Sequence, residues 1–394
     1  MRRSTNLILC VLMSTLAFGQ SDTEIYLFDF TLAGDSISIS GKTNISQNEG
    51  YDNQPSFFDA NTILFSSTRN GQTDIRSYAM DSGTTTWLTD TPQGSEYSPT
   101  RIPESNAISA IRLDTTGLQR LYRYNIKKGT DKSILKDAKV GYHYWYDPNT
   151  LVTTVLVDNR MDLVLNDLKK EVSDTIETKV GRGLGRVPGK GMVSYVKSNN
   201  GNNDILTFDP NSKATGPLVI PIREVQDYAW HPSGFIVIAY KNILLKLDPS
   251  KGADWEPFHT FNDADLGGIT RLVFSPDGRK LVLVSSTSPE AIVQKQLDAY
   301  NNRDIDAFLA TYADSITLFN FPGEQTAQGL DAMRKQYQGF FESTPDLHCE
   351  IKNRIVIGNK VIDEEFLTIN GQNFSAVAIY EVENGKIAKV TFLR

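Results

Sequence analysis

The residues best suited to chemistry sit near the C-terminal end of the chain. Asp363, Glu364 and Glu365 form an acidic run inside KVIDEEFLTI, an otherwise apolar stretch. On a strand, side chains alternate, so Asp363 and Glu365 share one face and Glu364 takes the other. If one face meets a cavity, a carboxylate held there could act as a general acid or base with a raised pKa. The plainer reading pairs it with Arg354 or leaves it in water. The preceding segment, LHCEIKNRIVIG, alternates as well, with His348 and Glu350 on one face and Cys349 on the other. His348 is read as a pocket-rim or core polar residue before it is read as a catalyst. His348, Glu364 and Glu365 are the candidate catalytic groups, and residue type and spacing alone decide for none of them.

Other chemistries are excluded. GRGLGRVPGKG, from Gly181, offers Arg182, Arg186 and Lys190, but Leu184 and Gly191 stand where a phosphate-binding loop needs Gly and Ser or Thr. It is read as a connecting loop. The four histidines, at 143, 231, 259 and 348, show no metal-ligand spacing, so no metal site and no cofactor are expected. No G-x-S-x-G elbow is present, which removes a propeller-capped serine hydrolase. With 40 basic against 47 acidic side chains the net charge is -7, and no basic excess recommends nucleic acid. Hydrophobic residues at 40% and charged residues at 22% fit a globular protein and exclude wholesale disorder, collagen and coiled coil.

The elements that would position the acidic strand are readable. Ser288-Pro289 is a helix cap followed by proline at the first helical position, and Asp304 can cap a second helix. A third helix starts near Gly329, with Leu330, Met333, Tyr337, Phe340 and Phe341 on one stripe. SITLFNF is a strand before it. LHCEIKNRIVIG, KVIDEEFLTI, SAVAIYEV and KIAKVTFL are strands after it, and Asn370-Gly371 is a hairpin signal. The order α-α-β-α-β-β-β-β over 289–394 fits an α+β, cone-shaped domain of three helices on one curved antiparallel sheet.

LDAYNNRDIDAFLATYAD, the Phe321-Pro322-Gly323 turn, PDLHCEIKNRIVIGN and VAIYEVENGKI carry a resemblance to SnoaL-like, polyketide cyclase-like members of the ketosteroid isomerase and nuclear transport factor superfamily. The resemblance implies an apolar pocket between sheet and helices. Tyr300, Tyr312, Phe319, Asn320, Tyr337, Phe341 and Tyr380 are then the pocket-lining candidates. Isomerase chemistry needs a carboxylate base and two donors aimed at a developing enolate. By the resemblance the base falls on Asn320 and the donors on Gln296 and Phe374, so ketosteroid isomerisation is not expected.

The first two-thirds of the chain repeats. An aromatic or proline, a tight turn and an apolar run recur around Asp59, Pro103, Pro148, Pro188, Pro232 and Pro276, at intervals of 44, 45, 40, 44 and 44 residues. About four short strands per 40–45 residues is the unit of a propeller blade. The sixth copy, FSPDGRKLVLVSS, has no second half, whereas EIYLFDFTLAGDSISIS at the other end has the missing shape. The expectation is an all-β six-bladed propeller over 22–286, closed by its N-terminal strands. FSPDGRKLVLVSS, PSFFDANTILFSSTRNGQTDI and NNGNNDILTFDP resemble the repeats of TolB-like propellers, a WD-repeat-like architecture.

MRRSTNLILCVLMSTLAFG reads as a signal peptide over 1–19: two arginines, an apolar run too short for a bilayer, and a small-residue cleavage site. Bacterial-type export to the periplasm or outside is expected, with no membrane span in the mature chain. The expected function is ligand binding and interaction, with a protein or glycan at the propeller mouth. The C-terminal domain would hold a small apolar ligand or form a homodimer. The alternative is an isomerase-, cyclase- or hydratase-like enzyme on a small apolar substrate in that domain.

Overall fold

The computed structural model describes residues 23–393 apart from 49, 127–129, 200–201, 224, 226, 253 and 384, so the signal-peptide reading lies outside the described residues. Among them, the strands of 24–286 form six four-stranded antiparallel sheets, and one 3₁₀ turn at Ala264–Leu266 is the only helical element there. Five are built from consecutive strands, over 52–87, 94–135, 140–177, 180–223 and 229–260. The remaining sheet joins the two ends of the region, in the order Ser36–Asn44, Glu24–Ala33, Lys280–Ser286, Gly268–Phe274. Its register sets Glu24 opposite Ser285 and Asp29 opposite Lys280.

Apolar residues explain the stacking of these sheets. In Glu24–Ala33, Ile25 and Leu27 pack with Ile63, Phe65 and Tyr78 of the 52–87 sheet. The alternate residues Tyr26, Phe28 and Phe30 pack with Val237, Leu244 and Phe261 at the 229–260 sheet. A strand covered on both faces reads as a continuous apolar run, which is why EIYLFDF and KLVLV show little alternation. Four more clusters join each remaining pair of neighbouring sheets.

Buried hydroxyls pin sheet to sheet. Ser194 Oγ accepts from Tyr228 Oη at 2.7 Å and Trp230 Nε1 at 2.9 Å, both from the next sheet, and donates to the Gly185 carbonyl at 3.0 Å. Two sheets earlier, Ser109 Oγ accepts from Trp145 Nε1 at 2.9 Å and meets His143 Nε2 at 2.8 Å. Trp145 and Trp230, the aromatics that precede the repeat turns at Pro148 and Pro232, are thus structural anchors. His231 belongs to the same class: it stacks on Phe235 at 4.5 Å, and its Nε2 lies 3.2 Å from the Gly278 carbonyl. A side chain at Gly278, where φ is +72°, would place Cβ 2.4 Å from that nitrogen.

The C-terminal domain has three helices, α1 (Pro289–Asn302), α2 (Ile305–Leu309) and α3 (Leu330–Ser343). Ser288 Oγ caps α1 by accepting from Ala291 N at 3.2 Å, and the Asp304 carboxylate caps α2 by accepting from Ala307 N at 3.0 Å. The helices cover a six-stranded sheet in the order Glu324–Gln328, Tyr312–Asn320, Lys386–Leu393, Gln372–Glu383, Lys360–Ile369, His348–Ile357. Two expectations are corrected here. The strand Glu324–Gln328 was not anticipated, because EQTAQ lies at the sheet's edge and only Ala327 of its five residues is buried. The sheet is mixed rather than antiparallel, because the last strand returns parallel to Tyr312–Asn320 at its centre. Asn370-Gly371 is the expected tight turn, with φ of 50° and 76°.

Candidate functional site

The acidic strand folds as its alternation requires. Asp363 and Glu365 are buried at 1% and 6% exposure, while Glu364 faces outward and accepts from Asn353 Nδ2. The two buried carboxylates have different surroundings. Asp363 sits opposite Arg354 on the neighbouring strand and takes a two-pronged pair from it, Nε to Oδ1 and Nη2 to Oδ2, both 2.7 Å. The third guanidinium nitrogen, Nη1, donates to Gln294 Oε1 on α1 at 2.9 Å. Asp363 therefore has the structural role of the plainer reading: it ties sheet to helix, and its hydrogen bonds lead in raising the Arg354 pKa.

Glu365 faces a cavity of about 300 Å³ between α1, α3 and the sheet. It sits opposite Ala376, whose methyl group occupies little of that space. Tyr380 Oη donates to Glu365 Oε1 at 2.9 Å. Tyr312 lines the same cavity and is hydrogen-bonded to Gln296 of α1. Burial is the first cause pushing both phenols well above their ordinary range. Next comes the Glu365 charge for Tyr380, and the Tyr337 and Glu365 charges for Tyr312. Both hydroxyls therefore keep their protons at any physiological pH. Apart from the Gln336 amide, the rest of the wall is mainly apolar or aromatic, from Leu297, Tyr300, Tyr337, Phe340, Leu367 and Phe374, among others. Such a site can receive a small, largely apolar molecule and meet one polar group with a carboxylate acceptor and phenol or amide donors.

Of the pocket candidates, Tyr300, Tyr312, Tyr337 and Tyr380 line this cavity. Phe319, Asn320 and Phe341 do not, for local reasons. Phe319 has the opposite parity to buried Leu318 and lies under the Lys389 ammonium, 5.5 Å from the ring centre. Asn320 ends its strand, and its Nδ2 donates to Glu324 Oε2 at 3.3 Å across the turn. Phe341 points into the core against Phe308 at 5.4 Å, and its neighbour Phe340 reaches the cavity instead. Of the catalytic candidates only Glu365 lines the cavity. Glu364 has the wrong parity, and His348, exposed at the start of its strand, lies away from it. Cys349, on the other face, does line it, but burial pushes its thiol pKa up, so it is no ready nucleophile. Leu367 and Ile369 also line it and were missed. Their shared parity with Glu365 was the signal that could have found them.

Among the described residues, no three His, Cys, Asp or Glu side chains gather to hold a metal ion. No helix there is long and apolar enough to cross a membrane.

Comparison with known proteins agrees with both resemblances. Residues 293–390 match the family model of the SnoaL-like domain. A protein assigned to TolB from Agrobacterium tumefaciens is 14% identical, with 68% of this chain and 99% of that chain covered and a TM-score of 0.50. TolB from Acinetobacter baumannii is 15% identical, with 67% and 64% covered and a TM-score of 0.45. An uncharacterised cystatin-fold protein from Novosphingobium aromaticivorans is 26% identical, with 27% and 98% covered and a TM-score of 0.27. No curated protein matches the chain. The N-terminal all-β region thus has a TolB-like propeller fold, and a SnoaL-like domain follows it.

Proposed function

We propose that this is an exported binding protein in which the SnoaL-like domain holds a small, largely apolar molecule bearing one hydrogen-bonding group, while the propeller serves as a platform for a partner. The observation that carries the small-molecule reading is the Tyr380–Glu365 hydrogen bond of 2.9 Å inside a cavity of about 300 Å³ walled largely by aromatic and aliphatic side chains. A hydroxyl on the ligand would donate to the Glu365 carboxylate, and a carbonyl would accept from a phenol. The six sheets are read as blades of one closed ring. Support comes from the six apolar clusters that join each sheet to the next, and from the sheet that Glu24–Ala33 completes with Lys280–Ser286. Export rests on the signal-peptide reading of 1–19. A homodimer contact is placed on the outer face of the C-terminal sheet, where Ile355 and Ile357 are 55% and 64% exposed.

The experiment is a titration of the full chain with 2-naphthol, followed by ligand fluorescence, beside naphthalene, which lacks the hydroxyl. Saturable binding of 2-naphthol that weakens about tenfold in Glu365→Gln supports the site, since a hydrogen bond to a charged group is worth about 1.5–3 kcal/mol. Equal binding of both probes, indifferent to Glu365, would reject it.

A second reading, proton transfer, is favoured by the same carboxylate–phenol pair, because a buried carboxylate beside a tyrosine separates a chemical pocket from a merely greasy one. Its test is hydrogen exchange at the α-carbon of 2-indanone in D₂O. Acceleration lost by about 10²–10⁴-fold in Glu365→Gln, with 2-indanone still bound, marks Glu365 as the base. No acceleration leaves recognition as the whole function.

A further inference from the structure

A second cavity lies in the propeller. Its volume is about 560 Å³, and residues at or beside one edge strand of every one of the six sheets line it. Its charged residues are Arg182, Arg186, Arg271 and Asp227, three positive against one negative, in a chain whose net charge is -7. This concentration of positive charge runs against the charge of the whole molecule.

Asp227 is shared by two of the arginines. Arg271 Nη1 lies 3.3 Å from Asp227 Oδ1, and the Arg182 guanidinium pairs with the other carboxylate oxygen. Their side chains are 15% and 29% exposed, so one carboxylate answers two partly desolvated guanidiniums. Arg182 also donates from Nη2 to the Thr270 carbonyl at 3.1 Å, while its Nε is buried with no hydrogen-bond partner. Arg186 lies over the Tyr146 ring at 4.8 Å. His143 brings no further charge, because burial lowers its pKa to about 3.

Guanidinium groups in a concave, half-dry site take a planar anion through paired N–H donors and hold it better than water does. We propose that the centre of the propeller is a binding site for a small organic carboxylate, gripped by Arg271 and Arg182 on the side not taken by Asp227 and attracted by Arg186. The inference rests on reading the propeller as a binding platform and owes nothing to the C-terminal cavity.

The test is calorimetric titration of the full chain with succinate and with galacturonate, each beside sodium sulfate. The proposal expects saturable binding of at least one carboxylate that weakens with added salt. It expects a loss of tenfold or more in Arg271→Gln and in Arg182→Gln, and a smaller loss in Arg186→Gln. Arg271→Lys keeps the charge but not the fork. It should fold where Arg271→Gln does not, and should still bind several-fold more weakly. Asp227→Asn removes the competing carboxylate and should tighten binding. Overturning results are no saturable binding of either acid, sulfate bound as well as the carboxylates, or affinity unchanged in folded Arg271 and Arg182 variants. Binding that needs an acidic peptide, with neither small acid taken, would also overturn this proposal while leaving the platform reading intact.

Discussion

The two regions bury polar groups for different ends. In the propeller, Glu96 is fully buried with a carboxyl pushed to about 8, chiefly by burial, and it accepts from Tyr124 Oη at 3.1 Å and Thr89 Oγ1 at 3.4 Å. It lines none of the cavities described above. In the C-terminal domain, Glu365 is buried too and also takes a tyrosine hydroxyl, but its face opens onto space for a ligand. Perturbed or buried carboxylates are often taken as pointers to function. Here the open cavity, rather than burial, separates a stitch between sheets from a site.

The largest expected effect concerns how the propeller is held together. A chain starting at Asn48 lacks both N-terminal strands, exposes the Lys280–Ser286 edge and strips the clusters around Ile25 and Phe28. Each large apolar side chain lost from such a core removes about 1.5–3 kcal/mol, so the product should be insoluble or melt without cooperativity. An intact melting transition would break the ring reading.

Next comes the claim that propeller polarity is structural. Ser194→Ala leaves the Tyr228 hydroxyl and Trp230 indole without their shared acceptor, at roughly 1–3 kcal/mol for each group. Denaturant melts should show the loss, with binding in the C-terminal cavity unchanged. A neutral result would remove these pins from the account.

A smaller effect is the pH dependence. Glu96 and Asp52, whose carboxyls burial pushes to about 8 and about 7, keep a proton in the folded chain that the unfolded chain releases near pH 4. The folded state binds more protons across that window, so stability falls as pH rises through it and levels off above the folded values. Neutral His143, with its pKa lowered to about 3 by burial, acts in the opposite sense and only below its unfolded value near 6.5. Between pH 6.5 and 8 the carboxyls act alone. Stability should drop by about 2 kcal/mol across that interval. Glu96→Gln should flatten most of the slope, and an unchanged slope would assign it elsewhere.

The propeller's fold was legible because one pattern repeats, and because strands buried on both faces announce themselves as apolar runs such as KLVLV. Its cavity was not: Arg182, Asp227 and Arg271 lie 45 and 44 residues apart, at three successive sheets, and only the packing of those sheets brings them together. In the C-terminal domain, Ser288 and Asp304 gave away their helices by capping chemistry, and alternation placed Asp363 and Glu365 on one buried face. Alternation could not say which of the two would be answered by Arg354, since that depends on cross-strand register. Nor could it reveal Glu324–Gln328, where an exposed edge leaves no apolar period.

The smallest stability effect carries the central claim. Glu365→Gln and Tyr380→Phe conserve shape and should each change stability by only about 1 kcal/mol, within the net worth of one hydrogen bond. The decisive measurement is 2-naphthol affinity in these two folded variants against the parent chain. The account predicts weaker binding in both, by about tenfold for Glu365→Gln, with naphthalene unaffected. Parent-like 2-naphthol affinity in both variants would contradict it and return Glu365 to the class of Glu96, a buried carboxyl that only holds the fold.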